Sequence, residues 1–161
     1  MTTGRGRLAY RASVVVALVA LLGTGLVRSE EQNAAEKARL KKLDAGPKVI
    51  DVSKYPAEQK ATYPLFSKKC SKCHNLARAI NTNFVLPGEW ERYIKRMLYK
   101  PDSKLSEDDA KAIYRFLTYD SSVRKADSLH VHLERLQPDE RATALSKIHA
   151  VNPSFEGTTS E

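Results

Sequence analysis

An all-α fold is predicted from three features of the sequence. Apolar residues recur at helical spacing: Trp90, Ile94, Met97 and Leu98 fall at i, i+4, i+7 and i+8, and Ala110, Ile113, Tyr114 and Leu117 form a second row with Phe116 at its edge. Start and stop signals bracket these rows, with Ser106-x-x-Asp109 resembling a capping box and Lys100-Pro101 closing the earlier helix. The flanks of the only two cysteines, Cys70 and Cys73, show no strand pattern.

The chain has 161 residues, enough for one domain plus appendages. Its net charge is +8 and its pI near 9.5. Arg5, Arg7, Arg11 and Arg28 precede every acid, so the part after Arg28 carries only +4. That bias is too weak to argue for nucleic acid, and the aromatics are not interleaved with a basic stripe.

Residues 1–28 read as an export signal or membrane anchor. A short basic segment leads into Ala12 to Val27, sixteen residues without a charge. Basic residues ahead of an apolar run mark an export signal, with the basic side left in the cytoplasm. Sixteen helical residues span about 24 Å, a little less than the roughly 30 Å hydrocarbon core. Gly23-Thr24-Gly25 offers a small-x-small cleavage site, but no Ala-x-Ala is present, which favours retention as an anchor. Either way the remainder is expected on the periplasmic side of the cytoplasmic membrane, with membrane contact through residues 12–27.

Residues 29–50 are polar and helix-prone, with too few apolar side chains to bury a face. They read as a tether ending at Gly46-Pro47. Arg39, Lys41 and Lys42 are read as a solvated face rather than a lipid-headgroup contact.

The segment 51–120 carries the chemistry. Tyr55-Pro56 and Tyr63-Pro64 open extended or helical stretches, and a helix is expected from about Pro64 into the cysteine pair. Cys70-Ser71-Lys72-Cys73-His74 is the pattern for covalent attachment of one c-type haem. Two intervening residues put both thiols within reach of the two porphyrin vinyl groups, and the adjacent imidazole falls under the iron as proximal ligand. A redox dithiol would expect a β-α-β setting. A zinc site would expect two more ligands at finger-like spacing, which His130 and His132 do not offer. Asn75 to Asn83 reads as turn-rich, and Phe84-Val85-Leu86-Pro87-Gly88 as an apolar loop over either a haem or ordinary core.

The next helix is expected from Gly88 to Tyr99 and the last from Ser106 to about Tyr119. Met97 is the second residue of chemical interest. A helical methionine is ordinarily core filler. Here an iron with one ligand needs a second, and Met97 is the only thioether besides Met1. The alternatives are His130, His132, His149 or an open position. Three short helices bury little apolar area, so a haem-free chain is expected to be largely unfolded.

From about residue 55 to 120 the chain resembles a small class I c-type cytochrome. Phe66 precedes the attachment motif, Trp90 precedes Arg96-Met97, and an acid-capped helix follows. It is similar to the single-haem domains of the green-bacterial reaction-centre cytochrome and of quinohaemoprotein amine dehydrogenases. The resemblance implies that the methionine of the Arg-Met pair, Met97, is the distal iron ligand.

Residues 121–161 exceed a minimal domain of that kind. Leu129, Leu133 and Leu136 suit one helix, and Pro138 opens another with Ala142, Leu145 and Ile148, before a tail from Asn152 read as disordered. The function expected is electron transfer, without bond-making on a substrate. The alternative is a haem subunit of a periplasmic dehydrogenase or respiratory complex. Lys68, Lys69 and Lys72 surround the motif and would steer acidic redox partner proteins.

Overall fold

The computed structural model describes residues 32–157. The expected span over residues 12–27 and the cleavage site lie outside them. Among the described residues there is no strand, and no helix is long and apolar enough to cross a membrane.

The chain divides near residue 45. The first unit contributes one described helix, α1, over residues 32–44, in which no side chain is buried. Within it Arg39 forks onto Glu36 at 2.7 and 2.8 Å. Both groups are exposed, so this i, i+3 pair adds little.

The second unit, from Gly46 onward, holds six helices: α2 (Ala57–Cys70), α3 (Leu76–Ile80), α4 (Pro87–Leu98), α5 (Glu107–Arg124), α6 (Ala126–Glu134) and α7 (Pro138–His149). Helix α2 starts seven residues before the expected Pro64, which sits inside it. Proline there removes one intrahelical hydrogen bond. The stack it sits among offsets that: the ring of Phe66 lies 5.2 Å from Phe116, and Tyr63 lies 5.8 Å from Phe116. Lys68 and Lys69 in the last turn complement the helix dipole.

Helix α3 corrects the turn-rich reading of residues 75–83. Asn75 caps it by accepting from the Ala77 N–H at 3.0 Å, and Ala77, Ala79 and Ile80 are buried. Helix α4 begins on Pro87, and Glu89 turns back to accept from the N–H groups of Val85 and Leu86 at 2.9 and 2.8 Å. Helix α5 has the expected box: Ser106 Oγ accepts from Asp109 N–H at 3.1 Å, and Asp109 accepts from Ser106 N–H at 3.2 Å.

Helix α5 then runs five residues past the expected end at Tyr119, because Asp120, Ser121 and Ser122 are buried instead of marking a turn. Asp120 accepts from the Tyr55 hydroxyl at 2.8 Å and from Arg124 at 2.6 and 3.0 Å. Ser121 Oγ accepts from Trp90 Nε1 at 2.8 Å, and Ser122 Oγ accepts from Asn152 at 2.9 Å.

Two apolar clusters result. The larger joins Phe66, Trp90, Ile94, Ile113, Phe116 and Leu117. The smaller joins Val85, Leu129, Leu133, Ala144, Ile148 and Phe155. Residues 121–157 therefore pack onto the haem-motif segment, with α7 against α4 and α5. The tail from Asn152 is corrected over its described part. Phe155 is buried beneath the His130 ring at 4.9 Å, and its carbonyl accepts from His149 Nε2 at 3.0 Å.

Candidate functional site

The end of α2, the turn after it and the last turns of α4 enclose a cavity of about 150 Å3. Cys70, Cys73, His74 and Met97 all line it. The four residues singled out in the sequence are thus brought together from two segments more than twenty positions apart.

Helix α2 ends on Cys70, and the tight turn over 71–74 carries Cys73 and His74. Both cysteines are free thiols, Cys73 exposed and Cys70 half-buried. Burial pushes the Cys70 thiol up to about 12, so it stays protonated at neutral pH. A redox dithiol or a thiolate metal site needs the opposite shift.

His74 Nδ1 lies 3.0 Å from the carbonyl of Asn75. A carbonyl can only accept, so Nδ1 is the donor in this contact and Nε2 is the nitrogen placed to meet a metal. The Tyr93 hydroxyl lies a long 3.4 Å from Nε2. Tyr93 also lines the cavity and sits one turn before Met97 on α4. Burial raises its hydroxyl to about 12, so it remains a donor. Arg96 lies 5.6 Å over its ring.

The donor set fits a haem: two thiols at attachment spacing, an imidazole whose Nε2 has only the long Tyr93 hydroxyl contact to give up, and a thioether on a different helix. Among the described residues no three His, Cys, Asp or Glu side chains are grouped to hold a bare metal ion. Haem asks only one imidazole and one thioether of the chain. The cavity is smaller than the 300–1,000 Å3 usual for a ligand site, so seating a porphyrin requires a wall to give. That wall includes Lys100, Pro101, Ser103 and Leu105 of the α4–α5 loop. The same loop holds Asp102 and Lys104 at φ 62° and 47°, both in the left-handed region.

The other candidates fall elsewhere. The 84–88 loop covers core: Phe84 stands edge-on to Trp90 and to Tyr93, each at 5.7 Å, and Val85 joins the smaller cluster. None of His130, His132 and His149 lines the cavity. His132 Nδ1 contacts the Ser128 carbonyl at 2.7 Å, and the other two hold the Phe155 segment. Lys68 and Lys72 are exposed beside the motif, whereas Lys69 pairs with Asp109 and donates to the Lys104 carbonyl at 3.0 Å. Sequence reasoning missed Tyr93 and Lys100. The i, i+4 relation of Tyr93 to Met97 was the available signal for the first; Lys100 reaches the cavity only through the path of its loop. No family model matches the chain, and no curated protein or solved structure matches it, so the functional reading rests on this cavity and its donors.

Proposed function

We propose that the protein is a single-haem electron carrier held or exported on the periplasmic side of the cytoplasmic membrane, with residues 1–28 as its signal or anchor. The observation that carries this reading is the convergence of Cys70, Cys73, His74 and Met97 on one cavity. Bound haem supplies a one-electron Fe(II)/Fe(III) couple. Cys70 and Cys73 would hold the cofactor through two thioether links, so it would not be lost on a change of oxidation state. The Asn75 carbonyl accepts from His74 Nδ1, which would leave Nε2 to bind the iron. Met97 would supply the second ligand, and a thioether would favour the reduced state and raise the potential. Lys100 and Arg78 line the cavity, and Lys68 and Lys72 are exposed beside the motif; positive charge there would favour acidic redox partners.

The test is expression with a cytochrome c maturation system, followed by denaturing electrophoresis stained for haem. Haem is expected to travel with the polypeptide and to be lost in Cys70→Ser/Cys73→Ser. In the reduced holoprotein, carbon monoxide is expected to leave the absorption spectrum unchanged. Prompt carbon monoxide binding by the unmutated protein would refute Met97 ligation and point to a sensor or catalytic haem.

A further inference from the structure

We infer that the 99–105 loop is a strap closed over the cysteine cavity, that Lys69 is the latch holding it, and that the strap lifts to let a tetrapyrrole reach the Cys70 thiol; the inference rests on the single-haem reading. The loop joins α4 to α5, and its Lys100, Pro101, Ser103 and Leu105 line the cavity. Lys69, in the last turn of α2, lines the same cavity and precedes Cys70 in the chain. Its ammonium donates to the Lys104 carbonyl at 3.0 Å and pairs with the Asp109 carboxylate. Asp109 in turn accepts from the Ser106 N–H at 3.2 Å. One ammonium thus ties the end of the loop and the start of α5 to the helix that carries Cys70. Both side chains of the ion pair are only 20% exposed, so salt screens it less than an open surface pair.

Of the cavity walls, the loop is the one free to move. No residue from 99 to 105 is fully buried, and of the four that line the cavity Leu105 alone packs against the larger core. The α4 wall is fixed through Trp90 and Ile94, and α2 through Phe66. The 71–74 turn runs straight into the Asn75 cap of α3, whose Ala77 is fully buried. Inside the loop, Asp102 and Lys104 take φ 62° and 47°. A residue with a Cβ reaches that left-handed region against a steric cost. Within the loop the Ser103 N–H donates to the Lys100 carbonyl at 3.2 Å. A segment with two such residues and little burial of its own stays shut through bonds supplied from outside it, and Lys69 supplies two. The enclosed volume of about 150 Å3 is below what a ligand site needs. Lifting the strap enlarges it without moving a buried core residue.

The experiment is alkylation of Cys70 by iodoacetamide in the full-length haem-free chain carrying Cys73→Ser, followed by mass spectrometry. Each rate is divided by that of the same chain in denaturing urea, and circular dichroism verifies the fold. Cys70 is expected to react at least about tenfold more slowly in the folded chain, with little dependence on dilute urea, as a local opening requires. Lys69→Met is expected to raise the folded-state rate about tenfold, the weight of a charged hydrogen bond and its ion pair. Lys69→Arg should stay within about threefold of the parent, because the charge and its donors remain. Asp102→Gly should lower the rate about threefold, since glycine holds the left-handed conformation at no steric cost. Opposite signs for the latch and loop variants distinguish a strap from a general loosening of the fold. A parent chain that reacts as fast as in urea would overturn the inference. So would rates that climb steeply in dilute urea, or Lys69→Met and Asp102→Gly variants that react like the parent. Failure of the single-haem reading shows separately, as a chain that takes up no covalent haem from a cytochrome c maturation system.

Discussion

At the scale of single residues, Met97 and Asp120 do opposite kinds of work. Met97 is half-buried, so under the single-haem proposal Met97→Ala should cost modest stability yet open one face of the iron. Carbon monoxide should then bind the reduced protein, and the midpoint potential should fall as the thioether is lost; spectroelectrochemistry reads both. Asp120 is fully buried and holds Tyr55 and Arg124 while contributing nothing to the cavity. Asp120→Ala leaves the Tyr55 hydroxyl without its Asp120 acceptor and the Arg124 guanidinium without its carboxylate, keeping the Ile80 carbonyl at 3.1 Å. Breaking a buried pair from one side costs about 3–5 kcal/mol, and urea unfolding should show that loss with the midpoint potential unchanged. Lys125 gives a pH signature. Its ammonium donates to the carbonyls of Thr82 and Phe84 at 2.6 and 3.1 Å and lies 5.3 Å over Trp90. Burial, then the neighbouring Arg124 charge, lowers it from 10.5 to about 8. Between these values the unfolded chain binds more protons than the native one, so stability rises with pH. From pH 8 to 10 the wild type should gain stability relative to Lys125→Met, as measured by urea midpoints across that window.

At the scale of elements, what was legible in the sequence was whatever local chemistry decides. Helices α4 and α5 were readable because Pro87 and Ser106 mark their starts and apolar rows fix their faces. Cys70, Cys73, His74 and Met97 could be singled out by residue type and spacing, and they line one cavity. Three things were not readable, and each is a tertiary effect. Pro64 is tolerated inside α2 by the Tyr63–Phe66–Phe116 stack, whose third ring lies fifty residues away. The polar run Asp120-Ser121-Ser122 reads as a helix end until Tyr55, Trp90 and Asn152 supply partners. The tail reads as disordered because its composition is polar, yet Phe155 closes the smaller core. That last correction has a direct test. Phe155→Ala is expected to destabilise the protein by about 3 kcal/mol, typical for emptying a buried aromatic site. A tail that is not packed would show no change in the thermal or denaturant midpoint.

At the scale of the whole molecule, the second unit is larger than a three-helix haem wrapper, and this changes what the haem-free chain should do. The expectation of a largely unfolded apoprotein assumed that a porphyrin supplies most of the core. In the structure the core residues Trp90, Ile113, Phe116 and Leu117 are buried without lining the cysteine cavity. The second cluster, around Leu129, Leu133 and Ile148, adds apolar area at a distance from the motif. The segments that depend on the cavity are the end of α2, the 71–75 turn and the 99–105 loop, where Cys70, Cys73, His74 and Lys100 are only partly buried or exposed. Local stability follows local burial. Haem-free Cys70→Ser/Cys73→Ser should therefore keep α4 to α7 protected in amide hydrogen exchange while the end of α2 and the 99–105 loop exchange rapidly. The same variant cut after Lys125 should lose protection throughout, because the clusters that replace the porphyrin as core then lose α6 and α7. Uniform rapid exchange in the full-length haem-free variant would show that the covalent cofactor, and not the α6–α7 extension, closes the fold.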